Sequence, residues 1–287
     1  MKTDTKAYYL GSINRAIEFI ESHASEKIGL EEIAEYALLS KFHFHRIFKS
    51  IKGETVKDYL LRIRLEKSAF LLMKSDKPIN EIAYECGYSS PETFTRAFRA
   101  YFSISPSQYK SEVKEKSDYK REANKKISFE SLQLKPPKIV EKADLNLAYI
   151  RHQGRYEEVG KSFKQLIKWA SKQLLLKWIP TTIGIVYDDP NLTAEEHLRY
   201  DACILLSREI KPEAEIGYKQ IKAGRYAVFR YKGPYEELSR VYDYIYYKCL
   251  FEYDWELRDA PSLEWYIRSP LFFRPKDLVT DIYLPIV

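Results

Sequence analysis

Two groups of side chains in this sequence could do chemistry: arginines that recur behind phenylalanines, and one glutamate set among aromatics. In the stretch 78–110, Phe94, Ala97, Phe98 and Tyr101 recur at helical spacing, so one helix face is apolar. The opposite face carries Glu92, Thr95, Arg96 and Arg99, with Thr93 beside them. Cationic side chains on such a face can hold phosphates and reach base edges. Glu92 has two readings: an acid placed on the helix dipole, or an acceptor for cytosine N4. The helix is delivered by a turn. Ile79, Ile82 and Ala83 mark a short first helix, and Cys86-Gly87-Tyr88 breaks it. Ser90 is placed as an N-cap, with Pro91 at the first helical position. A short helix with an apolar back and a polar front, set by a glycine turn, is the helix-turn-helix pattern. An ordinary amphipathic helix pair is the alternative.

The stretch 30–59 repeats this pattern. Ile33, Ala34 and Ser40 match Ile82, Ala83 and Ser89 at an offset of 49; Phe44, Arg46, Phe48 and Tyr59 match Phe94, Arg96, Phe98 and Tyr109 at 50. The extra residue falls where a turn absorbs it. Phe44, Ile47, Phe48 and Ile51 are the expected buried stripe; Phe42, His45, Arg46 and Lys49 are the outer face. Between the copies, 56–73 keeps unbroken helical periodicity, about 25 Å of helix. A further amphipathic helix, 8–24, turns Ile13, Ala16, Ile17, Ile20 and Ala24 to one side. His43 and His45 lie two apart on a helix and cannot share a metal. With no HExxH or Cys/His cluster, no metal or cofactor is expected.

With 287 residues and 45 % hydrophobic content, the chain suits two globular domains. The net charge of +6 is uneven: up to residue 126 there are 23 basic and 18 acidic side chains, and beyond it 24 and 23. That bias suits a polyanion partner for the first domain. Three widely spaced cysteines, Cys86, Cys203 and Cys249, offer no disulfide framework, so a reducing cytoplasm is expected. No run approaches the length of a membrane span, and no membrane partner is expected.

The segments I-x-E-I-A, Gly-Tyr-Ser, F-x-R-x-F and P-x-x-Y, with R-I-R-L-E-K-S-A-x-L-L between the copies, resemble the AraC/XylS-type transcription regulators over residues 8–110. The resemblance implies two helix-turn-helix units that enter adjacent major grooves of promoter DNA, with RNA polymerase as a further partner. The matching reading positions are Phe42, His45 and Arg46, then Glu92, Thr93 and Arg96; Lys49 and Arg99 continue the two faces. Glu92 departs from the uncharged residue common there. Both readers lie on one chain, so a monomer on DNA is expected.

Residues 111–126 are charged and read as a linker, with a first strand drawn at 127–134. From residue 139 the period changes to alternation, and a second repeat appears. Ala148, Gly154, Tyr156 and Glu157 match Ala227, Gly233, Tyr235 and Glu236 at an offset of 79; Pro190, Asp201 and Ile204 match Pro270, Asp281 and Leu284 at 80. Each copy reads strand, helix, strand, strand. Helices are expected at 156–176 and 235–251, and later strands at 182–187, 200–207, 262–267 and 281–287. The expected fold is therefore multidomain: an all-α double helix-turn-helix domain, then an α+β domain (127–287) of two β-α-β-β repeats with pseudo-twofold symmetry. Glu264 stands where the first copy has Gly184, in a strand with Tyr266 on its own face. A small residue opposite a carboxylate leaves space, and an ionised glutamate among aromatics is costly unless a cation or donor meets it. Exposure at a sheet edge, or an arginine partner, would make it ordinary.

R-H-x-G-x-Y-E-E, Y-D-D-P, L-R-Y-D-A and the terminal T-D-I-Y-L-P-I resemble the GyrI-like effector-binding domain over residues 127–287. The resemblance implies an amphipathic, often cationic, small-molecule effector, held by Glu264 and Tyr266 with Tyr149, Tyr187 and Trp178 as further wall residues. Two rival expectations remain: a small hydrolase using Glu264 and Tyr266 on an electrophilic amphiphile, and a module that only docks a protein.

Overall fold

The computed structural model describes residues 2–124, 128–173, 175, 180–190, 193–270 and 272–287. The chain divides into two units, Met1–Lys116 with Pro212–Glu215, and Ser117–Lys211 with Ile216–Val287.

The first unit is helical. Helix α1 (Lys2–Ser22) buries Ile13, Ala16, Ile17 and Ile20. Two helix pairs follow, α2 (Leu30–Tyr36) with α3 (Lys41–Lys52) and α5 (Ile79–Glu85) with α6 (Pro91–Phe102). Helix α4 (Val56–Lys74) joins them, and α7 (Pro106–Asn124) follows. The duplication extends to the caps. Thr55 opens α4 by accepting the Asp58 amide, and Ser105 opens α7 by accepting the Gln108 amide. The Phe48 and Tyr59 rings meet edge-on at 5.6 Å, and Phe98 and Tyr109 at 5.3 Å. Such pairs add about 0.5–1.5 kcal/mol beyond their burial. Ile51 and Tyr101, expected in the buried stripes, are 38 % and 39 % exposed, because each lies in the last turn of its helix, where the apolar stripe runs out.

Ser90 caps α6 as expected, accepting the Thr93 amide at 3.3 Å, with Pro91 next. The turn before it needs glycine twice over. Gly87 has φ +78°, and a Cβ there would lie 2.7 Å from the Ser25 carbonyl oxygen. The equivalent position of the first copy is Leu38, also left-handed at φ 57° and 65 % exposed.

Residues 111–124, expected as linker, continue α7. The strand expected at 127–134 is replaced by a turn with a single bridge, Leu134 to Tyr231; its first residue lies outside the described ones. Leu132 and Leu134 instead pack into an apolar cluster with Phe229 and Tyr244, which a turn allows and a straight strand would not.

Among the described residues the second unit holds one antiparallel sheet of eight strands: β1 (Lys138–Lys142), β2 (Leu145–Gln153), β3 (Thr182–Val186), β4 (Arg199–Leu206), β5 (Gly217–Ile221), β6 (Gly224–Lys232), β7 (Ser262–Arg268) and β8 (Val279–Ile286). Their order is β1-β6-β8-β7-β3-β4-β2-β5. Each repeat thus opens with one strand more than the sequence suggested. These extra strands are exchanged: β1 pairs with β6 of the second copy, and β5 with β2 of the first. Helix α8 (Gly160–Lys172) packs Leu166 and Ala170 on Ala148, Ile150 and Ile204. Helix α9 (Leu238–Tyr244), extended by a wider turn through Cys249, packs Val241 and Tyr244 on Ala227, Phe229 and Ile282. Both helices therefore cover the same face. The expected helix starts, 156 and 235, are short 3-10 turns ahead of α8 and α9.

Candidate functional site

All eight sequence-selected side chains of the first unit point to solvent. Phe42, His45, Arg46 and Lys49 are exposed on α3, and Glu92, Thr93, Arg96 and Arg99 on α6, while Phe44, Phe48, Phe94 and Phe98 are buried behind them. Phe42, a large apolar ring, is 72 % exposed. Arg46, Lys49 and Arg99 form no ion pair among the described residues, so their charges are available to an anion. Glu92, fully exposed, is held below the usual carboxylate range by the Ser90 hydroxyl, then by its own backbone amide and by Arg96. It stays ionised in the first turn, which fits the helix-dipole reading and keeps it available as an acceptor. His43 is exposed too.

What holds the two faces in one frame was not legible as a site. Arg62, 3 % exposed in the middle of α4, donates to Glu54 at 2.7 Å and to Glu66 at 3.3 Å. Its guanidinium lies 4.9 Å from the Tyr59 ring, and the Tyr101 hydroxyl of α6 reaches Glu66 at 3.4 Å. A buried cation between two carboxylates ties the connection after α3 to α6 through α4. The two glutamates raise the Arg62 pKa against the opposing effect of burial. In the sequence these residues read as one more charged helix face.

In the second unit the axis of the pseudo-twofold passes through one residue pair: Gly184 of β3 lies directly opposite Glu264 of β7. The space left by Gly184 is filled. A Cβ at Gly184 would coincide with the Tyr200 hydroxyl, which therefore sits over the glycine and reaches Glu264 Oε2 at 3.2 Å. Tyr242 of α9 donates to Glu264 Oε1 at 3.0 Å. Tyr266 donates to Oε2 and is itself hydrogen-bonded to Tyr200. Phe163 of α8 meets the Tyr266 ring edge-on at 5.5 Å, Tyr235 packs on Tyr266 at 5.3 Å and Tyr156 on Tyr200 at 5.7 Å. Glu264 is 4 % exposed and no cation touches it among the described residues, so neither the edge nor the arginine reading holds. Burial pushes its carboxyl up, against the pull of the three tyrosine donors. Burial and the neighbouring carboxylate raise the three phenols well above their ordinary value, so they remain donors.

Tyr149 and Tyr187 are not part of this cage. Both lie on the opposite face of the sheet, where Tyr149 receives the Lys219 ammonium at 4.0 Å and Tyr187 donates to Asp201 at 2.8 Å. Strand parity puts them there: Leu147 and Tyr149 alternate with Ala148 and Ile150, which take α8. Trp178 lies outside the described residues. Sequence reasoning missed Tyr200, Tyr242 and Phe163. Their signal was the repeat itself, since Phe163 and Tyr242 are equivalent at an offset of 79, and Tyr200 is equivalent to Thr280 at 80.

Comparison with known proteins fits both units. Residues 135–287 match the GyrI-like small molecule binding domain, and residues 33–112 a helix-turn-helix domain. Regulatory protein SoxS of Salmonella typhimurium is 33 % identical over 98 residues, which cover 34 % of this chain and 92 % of that protein. The chain belongs to the AraC-type helix-turn-helix family and carries a GyrI-like domain. This AraC-type chain is also 36 % identical over 116 residues to YbfP, an HTH-type transcriptional regulator of Bacillus subtilis, covering 40 % of this chain and 39 % of the relative. It is 36 % identical over 100 residues to the transcriptional regulator Rob of Salmonella typhimurium, covering 35 % of each. The matches thus span well under half the length of these two relatives.

Proposed function

We propose that this protein is a transcription regulator that reads two adjacent major grooves of promoter DNA with α3 and α6, and that a cationic amphipathic effector binds at Glu264. The observation that supports the DNA reading is equivalence. Arg46 and Arg96, and Lys49 and Arg99, stand at matching places on two exposed helix faces with buried phenylalanines behind them. Helix α4, 19 residues or roughly 28 Å long, spaces them in the range of successive major-groove faces, about 34 Å apart. One chain then covers both grooves as a monomer, with RNA polymerase as the downstream partner. Selection of bound duplexes from a random pool, with and without dodecyltrimethylammonium, tests both halves. A pool that shows no enriched sequence spanning two half-sites refutes two-groove reading.

The effector reading rests on the buried carboxylate. Among the described residues its ligands are three neutral hydroxyls inside an aromatic box, so a positive charge entering the cage supplies what the tyrosines do not. Opening requires the rings of Tyr242 and Tyr266 to swing away, after which they line the ligand. The direct contact of Tyr266 with Glu264 also supports a second reading, acid–base hydrolysis of an electrophilic amphiphile. Turnover that disappears in Glu264→Gln favours it; saturable binding without turnover favours the effector.

A further inference from the structure

On the sheet face away from the helices, a second cluster is built with the opposite charge. Lys142 of β1 pairs in register with Gly224 of β6, and the Arg258 guanidinium occupies the space over that glycine, 2.5 Å from where a Cβ would be. Two cations therefore share one aromatic surface. Each lies on aromatic rings: Lys142 Nζ is 4.4 Å from the Trp265 centroid and 5.2 Å from Tyr283, and Arg258 is 5.0 Å from Tyr226. The three rings are contiguous, with Tyr283 at 5.3 Å from Trp265 and 5.8 Å from Tyr226.

Several polar atoms of this cluster have no partner among the described residues. Arg258 Nε and Nη2, the Tyr226 hydroxyl and the Trp265 indole nitrogen are buried without a hydrogen-bond partner, and Tyr226 is 1 % exposed. No carboxylate pairs with Lys142 or Arg258 among the described residues. The acids of this face are committed elsewhere: Asp281 to Arg230, and Asp201 to Arg151 and Lys219. Like charges on one surface repel, and buried donors without acceptors cost desolvation free energy. Lys142, Arg258 and Trp265 are half-buried, so the cluster keeps an open side. A planar carboxylate answers the charge: its oxygens accept from the guanidinium fork and meet the ammonium, and a flat body lies against the rings.

We propose that this face carries a second small-molecule site, distinct from the Glu264 cage, that takes an organic carboxylate with a flat apolar body. The probe is benzoate, titrated calorimetrically into the full chain, with benzylammonium as the charge-reversed control. Benzoate is expected to bind saturably, and Lys142→Gln and Arg258→Gln should each weaken it about tenfold. The indole N–H signal of Trp265, assigned with Trp265→Phe, should shift with benzoate and stay fixed in the double variant. Glu264→Gln should bind benzoate as the unmodified chain does. Without benzoate, Lys142→Gln should melt no lower than the unmodified chain. Absence of saturable binding, undiminished binding in both cation variants, or loss of binding in Glu264→Gln alone would overturn the proposal. A lower melting temperature of Lys142→Gln without ligand would assign the lysine to structure and overturn it equally.

Discussion

In the first unit, Arg46 and Arg96, Phe48 and Phe98, and Tyr59 and Tyr109 occupy equivalent places, and the same residue type stands at each. In the second unit, Gly184 and Glu264 are equivalent and differ, as do Tyr200 and Thr280, and Phe163 and Tyr242. The difference follows from where the copies meet. The two helix-turn-helix units are held apart on α4, so each can repeat the same face. The two sheet repeats meet edge to edge on an axis, where Gly184 opposes Glu264. Two buried carboxylates there would repel at close range, so one copy supplies the acid and the other the space, which Tyr200 fills. Repetition of a face suits a periodic partner, as in the two-groove reading proposed above. Broken symmetry makes one asymmetric cage out of two similar halves.

The largest expected effect tests the frame that keeps the readers equivalent. Arg62→Leu leaves Glu54 and Glu66 without their cation, and should cost about 3–5 kcal/mol in urea unfolding of the chain. A loss below about 1 kcal/mol would mean that the network does not couple the copies.

Next comes the residue that breaks the second symmetry. Glu264→Gln should weaken dodecyltrimethylammonium binding by about 2 kcal/mol or more, because a buried partner charge is removed. The same substitution should raise the melting temperature of the ligand-free protein at neutral pH. The sign follows from the raised folded pKa of Glu264: the folded state holds its proton more tightly, so stability falls as pH rises from the unfolded value through the folded one. The gain from glutamine should therefore vanish in acid. Cation affinity should move the other way and increase as the carboxyl ionises. Equal ligand affinity for the two proteins at every pH would remove Glu264 from the site.

Arg46→Ala and Arg96→Ala should each cost about 1–3 kcal/mol on a selected duplex and relax preference at separate positions. Because the two arginines stand on separate helices, α3 and α6, the double variant should show additive losses. Strong non-additivity would mean that the two faces do not read independently.

The smallest effect concerns the two turns. Leu38→Gly relieves a left-handed leucine that is mostly exposed, and should stabilise the chain by at most about 0.5–1 kcal/mol, since glycine also loosens the unfolded chain. The matching change Gly87→Ala should destabilise, because its Cβ meets the Ser25 carbonyl. If both changes had the same sign, the turns would not be equivalent.

Much of this was readable in the residues. Helical period, the Ser90 cap and the repeat offset gave α2 to α6 and the eight outward side chains, because exposure on a short amphipathic helix depends on local spacing alone. The second offset gave the repeated unit and singled out Glu264 as the position where the copies disagree. Tertiary structure decided the rest. Strand parity says which residues share a face but not which face the helices take, so Tyr149 and Tyr187 went to the side opposite Glu264. Exchange of β1 and β5 between the copies depends on long-range pairing that no local pattern encodes. The charges of Arg62, Glu54 and Glu66 become a buried lock only when α3 and α6 close on α4, and the cage exists only because Tyr200, Tyr242 and Tyr266 arrive from three elements at one carboxylate.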